Sequence, residues 1–158
     1  MIELLVVILV IAILITIVAG SYGWLVGRAK KTSTESFLNV IVTGLQNYSE
    51  KEGSIPMADW RNDEGVTVLT EALKEGYVEG KKGNFVKSKY THKQVFSDMW
   101  NRPLRYRSAY DEDGNLRSPA PHNDKPDGFD LWSAGPDGED AYDEADGDCD
   151  DIRNWVKD

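Results

Sequence analysis

Ten carboxylates crowd the last part of this chain: Asp137, Glu139, Asp140, Asp143, Glu144, Asp146, Asp148, Asp150, Asp151 and Asp158. Only two bases, Arg153 and Lys157, stand among them. Like charges at this density repel, and they keep a loop open unless a cation neutralises them. Hard oxygen donors alternating with glycine suit Ca²⁺, which takes about six to eight oxygens, backbone carbonyls included. The EF-hand pattern is not met: DEADGDCDD has the alternating aspartates, but no closing glutamate and no helix-flanked loop. On composition alone a solvated acidic tail is at least as good a reading as a calcium site. The apolar pair Ile152 and Trp155 after the loop favours the site, because a solvated tail has no need of an anchor. Cys149 reads as an incidental thiol.

One further carboxylate stands alone. MIELLVVILVIAILITIVAG opens the chain, and Glu3 is the only charged side chain before Arg28. About 20 apolar residues in a helix rising 1.5 Å each span the roughly 30 Å of a bilayer core. The segment is too long for the apolar core of a cleaved signal peptide and has no basic stretch ahead of it. A carboxylate near a bilayer centre costs on the order of a few kcal/mol unless something compensates. Either Glu3 sits at headgroup level, or a cationic partner meets it.

Other chemistry is excluded. A net charge of −9 argues against nucleic acid as a partner. One cysteine rules out an internal disulfide and a cysteine zinc cluster, and His92 and His122 are too few for a mixed site. No phosphate-binding loop, nucleophile elbow or H-E-x-x-H pair is present, so no enzyme is expected.

The elements that position these residues follow from periodicity. Phe37, Val40, Ile41, Gly44, Leu45 and Tyr48 recur at helical spacing, and no proline intervenes before Pro56. One helix is therefore expected from about residue 2 to about residue 51, apolar all round at first and amphipathic after Arg28. Gly20, Gly23 and Gly27 at the junction are either close-packing positions or a weak point where the helix bends. A loop follows, then a short helix with Val66, Leu69, Ala72 and Leu73 on one face, closed by Gly76. Residues 82–90 are ambiguous. RPLRYRSAYDEDGNLRS predicts a hairpin returning at Leu116, and GFDLWSAG predicts a strand. The sum is an α+β head on a helical spine.

Three stretches carry a resemblance. MIELLVVILVIAILITIVAG resembles the mature start of type IV pilin-like proteins, F-T-L-I-E-L-L-V-V-I-x-I-I-A-I-L. SDMWNRPLRYRS resembles the D-P-W-G-N-P-Y-x-Y box of the type II secretion system major pseudopilin. FDLWSAGPDG, followed by DDIRNW, resembles that family's D-I-F-S-x-G-x-D-G and D-D-I-x-x-W. The first motif marks only the superfamily; the other two are more specific, and together they cover essentially the whole chain.

The resemblance implies a pilin-like fold, with residues 1–27 the transmembrane and filament-core half of the helix and residues 28–158 a periplasmic head. It implies a structural subunit of a pseudopilus, a helical homo-oligomer that drives export of folded proteins across the outer membrane. Partners would be minor pseudopilins and an inner-membrane secretion platform, with no nucleic acid. Glu3 would meet the amino terminus of a neighbouring subunit during assembly. Ca²⁺ would be held by the Ala134 carbonyl, Asp137, and Asp150 or its neighbour Asp151. The loop is longer than usual for the family, so Asp146 or Asp148 could substitute. Asp98, Trp100 and Pro103 would be structural, and Trp132 and Trp155 core. The family's leader, Gly-Phe cleavage site and first two mature residues do not precede Met1, which stands where the family has leucine. The expectation is a start further upstream, with processing by a prepilin peptidase and N-methylation. Alternatives are a type IV pilin for adhesion, motility or DNA uptake, or a monomeric membrane-anchored calcium-binding domain.

Overall fold

The computed structural model describes residues 2–74, 76–79, 82–118, 121–123, 125, 128–140, 142 and 150–155, with backbone alone at 17–21 and 82. Helix α1, Ile2–Glu52, runs 51 residues without a break, about 76 Å at 1.5 Å per residue. Glu3 in its first turn and Lys51 in its last both complement the helix dipole. The chain leaves the helix at Gly53, whose N–H still reaches the Ser49 carbonyl at 2.9 Å. The helix continues through the glycine junction without interruption. A Cβ at Gly23 or Gly27 would meet nothing within 4 Å, so neither is a close-packing position within this chain.

The two halves of α1 differ. Every described large apolar side chain from Ile2 to Ile15 is exposed. From Thr34 onward one stripe is buried: Thr34, Phe37, Leu38, Ile41 and Leu45. The expected stripe needs one correction. Val40 is 46% exposed and Leu38 takes the inward position, because the face on which the head packs is turned slightly toward Leu38 from the predicted centre. Among the described residues no helix is long and apolar enough to cross a membrane. The described apolar side chains at the tip run from Ile2 to Ile15, about 21 Å of helix against a hydrocarbon core of roughly 30 Å.

A 3₁₀ turn at Arg61–Asp63 leads into helix α2, Glu64–Leu73, which buries Val66, Leu69 and Leu73 as its periodicity predicts. Strands β1 (Phe85–Lys87) and β2 (Gln94–Phe96) form an antiparallel pair in the ambiguous region. A second, three-stranded antiparallel sheet has the order β3 (Arg105–Ser108), β4 (Phe129–Ser133), β5 (Ile152–Arg153). The predicted hairpin is corrected here. The turn forms, with Tyr110 and Leu116 facing each other in one antiparallel bridge, but no return strand follows. β3 pairs instead with the distant β4, Tyr106 opposite Leu131, because that partner has an apolar face to bury and Leu116 is 45% exposed.

β4 is buried on both faces. Phe129 and Leu131 join the core with Phe37, Ile41 and Leu45 of α1, Leu69 and Leu73 of α2, and Phe96 and Tyr106. Trp132, on the opposite face, meets Trp60, Tyr142 and Trp155, with ring centroids 4.7–6.0 Å away. That second aromatic layer is the floor beneath the C-terminal loop.

Candidate functional site

The acidic loop leaves β4 at Ala134 and is braced from below by the turn after β2. Asp98 is fully buried. Its Oδ1 accepts the Trp100 and Arg102 amides at 2.8 and 2.9 Å, and its Oδ2 accepts the Ser133 hydroxyl at 2.7 Å. Ser133 Oγ in turn accepts the Gly135 amide at 3.2 Å. The Asp98 carboxylate thus shapes its own turn and fixes the first residues of the acidic loop, the structural role expected of it. Pro103 lies opposite Ser97 in an antiparallel bridge, and Trp100 is half-buried against the core.

Arg102 is the residue the sequence reading missed. Its guanidinium donates to the Gly135 carbonyl and lies against Gly138, where a Cβ would stand 2.6 Å from the guanidinium carbon. Gly138 also takes a φ of +79°, open to glycine without strain.

The predicted ligands divide. Asp137 and Asp150, thirteen residues apart, meet: the Asp137 amide donates to Asp150 Oδ2 at 3.3 Å. Asp150 also packs on Gly135, where a Cβ would lie 2.7 Å from both its carboxyl carbon and its backbone oxygen. The Ala134 carbonyl stands at the same end of the loop and accepts the Gly138 amide at 3.0 Å. Asp151 is engaged elsewhere, its Oδ2 accepting from Arg153 at 3.3 Å. Among the described residues no group of three or more His, Cys, Asp or Glu side chains converges to hold a metal ion. Asp146, Asp148 and Cys149 lie outside the described residues.

The loop is pinned at its middle and its end. Tyr142 donates to the buried Asp130 at 2.6 Å and accepts from Arg107 at 3.2 Å. Burial, then the bond to the Asp130 carboxylate, pushes the Tyr142 phenol well above its ordinary pKa. Asp130 also accepts the His122 amide at 2.9 Å, and the Trp132 indole donates to Asp140 at 3.0 Å. Trp155 stacks on His122 at 4.3 Å, half-buried beside the core tryptophan Trp132. At the far end of the molecule Glu3 is exposed, with no ion-pair partner among the described residues.

No curated protein and no solved structure matches the chain. A family model described as "Type II secretion system (T2SS), protein G" matches residues 24–155, well over half of the sequence and the whole of the head from the helix junction to the Trp155 anchor. With that match on an α+β head carried by a long N-terminal helix, the chain belongs to the type II secretion system protein G family, that of the major pseudopilin.

Proposed function

We propose that this chain is a structural subunit of the periplasmic pseudopilus, held by residues 1–27 in the inner membrane with residues 28–158 in the periplasm until it joins a helical filament. The filament drives folded proteins across the outer membrane. It works with minor pseudopilins and an inner-membrane platform, and the subunit itself performs no catalysis. The observation that carries this reading is the apolar half of α1, exposed from Ile2 to Ile15 with nothing covering it among the described residues. Such a surface calls for lipid at one stage and for other helices at another. Glu3, without an ion-pair partner among the described residues, meets the positive amino terminus of a neighbouring copy as the helices pack. Glu3→Ala should therefore insert into membranes as the wild type does and fail to form filaments visible by electron microscopy. Filaments of normal length from Glu3→Ala would overturn that role.

The C-terminal loop binds Ca²⁺ through Asp137, Asp150 and the Ala134 carbonyl. Support comes from the meeting of Asp137 with Asp150 across thirteen residues of acidic loop, and Asp150 is the better second ligand because Asp151 is engaged by Arg153. The ion supplies charge neutralisation and a fold for the loop; the chain supplies the anchors at Tyr142 and Trp155. Extracellular sites bind at roughly 10⁻⁴–10⁻³ M, and ligand at 100 times Kd stabilises by about 2.7 kcal/mol. A rise in the thermal midpoint with millimolar Ca²⁺, lost in Asp137→Ala, is the expected result. No rise would remove the metal from the reading.

A further inference from the structure

Where α1 leaves its apolar half it carries Tyr22, Trp24, Arg28, Lys30 and Lys31 within three turns. Tyr22 and Trp24 are 69% and 67% exposed, and the Arg28 guanidinium lies 5.5 Å from the centroid of the Trp24 ring. Aromatic rings and cations at the end of an apolar helix are the side chains that settle at a bilayer surface. The chain carries −9 overall, yet among the described residues none of the three cations has an ion-pair partner. The head's own acids have not recruited them.

Trp24, Gly27, Arg28 and Lys31 follow one another at spacings of three and four, so they share one face of the helix. That face forms one wall of a groove of about 410 Å³, with Trp100 and Asp150 of the head as the other wall and Pro136 between them. Lys30 does not line it. Gly27 leaves it open, since a Cβ there would meet nothing within 4 Å. The lining is therefore two indoles and a proline beside two unpaired cations. Asp150 is the one carboxylate present, and its Oδ2 is engaged by the Asp137 amide.

We propose that this groove seats the headgroup of an anionic phospholipid from the leaflet where α1 emerges. The inference rests on the membrane-anchored reading given above. The phosphate meets Arg28 and Lys31, and the glycerol and upper acyl chain lie along Trp24 and Trp100. The apolar lining lies on the same helix as the exposed apolar half of α1, which is what a lipid needs and a soluble anion does not. A lipid held there fixes the angle between head and bilayer, and it has to be released before the subunit leaves the membrane.

The test uses the full chain in vesicles of phosphatidylcholine mixed with phosphatidylglycerol, with EDTA present throughout so that no calcium bridges Asp150 to phosphate. After extraction in mild detergent, mass spectrometry gives the ratio of the two lipids retained per chain. Wild type should enrich phosphatidylglycerol several-fold over the bulk ratio. R28Q/K31Q should fall to the bulk ratio, since each charge near the surface is worth about fivefold, and K30Q should retain the enrichment. G27L, which fills the groove with the cations intact, should lose it. Equal losses in K30Q and R28Q/K31Q would mean diffuse surface attraction and would overturn the seat. So would insertion with both lipids retained at the bulk ratio, or retention of a second copy of the chain in place of lipid. A chain that fails to insert into the vesicles at all overturns the anchored reading, and the seat falls with it.

Discussion

Helix α1 contains two regions built from the same backbone and opposite in what surrounds them. Ile8, Leu9 and Ile11 are each about half exposed, whereas Ile41 and Leu45 on the same helix have no exposed surface. Neither the helical hydrogen bonds nor the residue types explain the contrast, since aliphatic side chains serve in both halves. What differs is that α2, β4 and β5 pack on the second half alone within this chain. A helix is decided locally, but its burial is decided by what arrives from elsewhere in the sequence.

The contrast is broken most directly by truncating one residue from each half. Ile41→Ala should destabilise the head by about 2–5 kcal/mol, the usual cost of a large-to-small change at a fully buried site. Leu9→Ala should leave the head's denaturant midpoint in detergent unchanged. If both variants shift it equally, the apolar half is packed on the head and the comparison fails.

Next in size is the turn that docks on the buried half. The Met99 amide reaches the hydroxyl of the buried Thr34 at 3.3 Å, and Asp98 holds that turn in shape. Asp98→Ala would strand the Trp100 and Arg102 amides and the Ser133 hydroxyl. Water can reach the part-buried Trp100 and Arg102 amides but not the Ser133 hydroxyl, and one orphaned buried donor costs roughly 1–3 kcal/mol, so a loss of about 2 kcal/mol is expected. Asp98→Asn, which keeps an acceptor oxygen, should recover part of it in the same denaturation series.

A smaller effect concerns the far face of β4. Tyr142 and Tyr106 both have phenol pKa values raised by burial as the leading cause. The fold favours the neutral phenol, so this contribution is complete below the ordinary tyrosine value of about 10 and is lost as the pH rises above it. Tyr142→Phe should cost about 1 kcal/mol near neutrality and flatten the alkaline decline in stability. Tyr106, and Lys51 with its own pKa also raised beside Tyr77, contribute to the slope that remains. An alkaline profile unchanged from wild type would show that Tyr142 does not clamp the loop in solution.

The smallest effect is expected at the solvent-exposed turn, where the Asp111 carboxylate accepts the Asp113 and Asn115 amides at 3.0 and 2.8 Å. Backbone hydrogen bonding to Asn115 is the leading cause that lowers its pKa. The turn is therefore held above the ordinary carboxylate range and released as the pH falls through the lowered value. Amide chemical shifts of Asp113 and Asn115 should move in acid while the global midpoint does not.

The long helix, α2 and the β4 strand were legible because each carries its own signal: 3.6-residue periodicity without proline, a Gly76 stop, and a short aromatic and aliphatic run bounded by glycines. β2 was not, since QVF is three residues long and acquires its strand character only by pairing with Phe85–Lys87. The hairpin at Asp111 was half legible. The turn chemistry of DEDGN is local, but whether Leu116 continues into a strand depends on competition with Leu131 for the same edge of β3. In the acidic loop, charge density marked the region, and Asp137 with Asp150 could be singled out only by resemblance. Arg102 went unnoticed because the backbone oxygen it bonds lies thirty-three residues further along the chain.

By itself the sequence determined the length and continuity of α1, the polarity change along it, the family, and the places where carboxylates would gather. All of these follow from neighbours within a few residues, where propensity, periodicity and charge act directly. Tertiary structure alone decided which face of α1 turns inward, which strand β3 takes as partner, and that Asp150 meets Asp137 while Asp151 is drawn to Arg153. Those choices depend on which distant segment arrives to exclude water, and burial free energy counts the area covered rather than the residues that are adjacent in the chain.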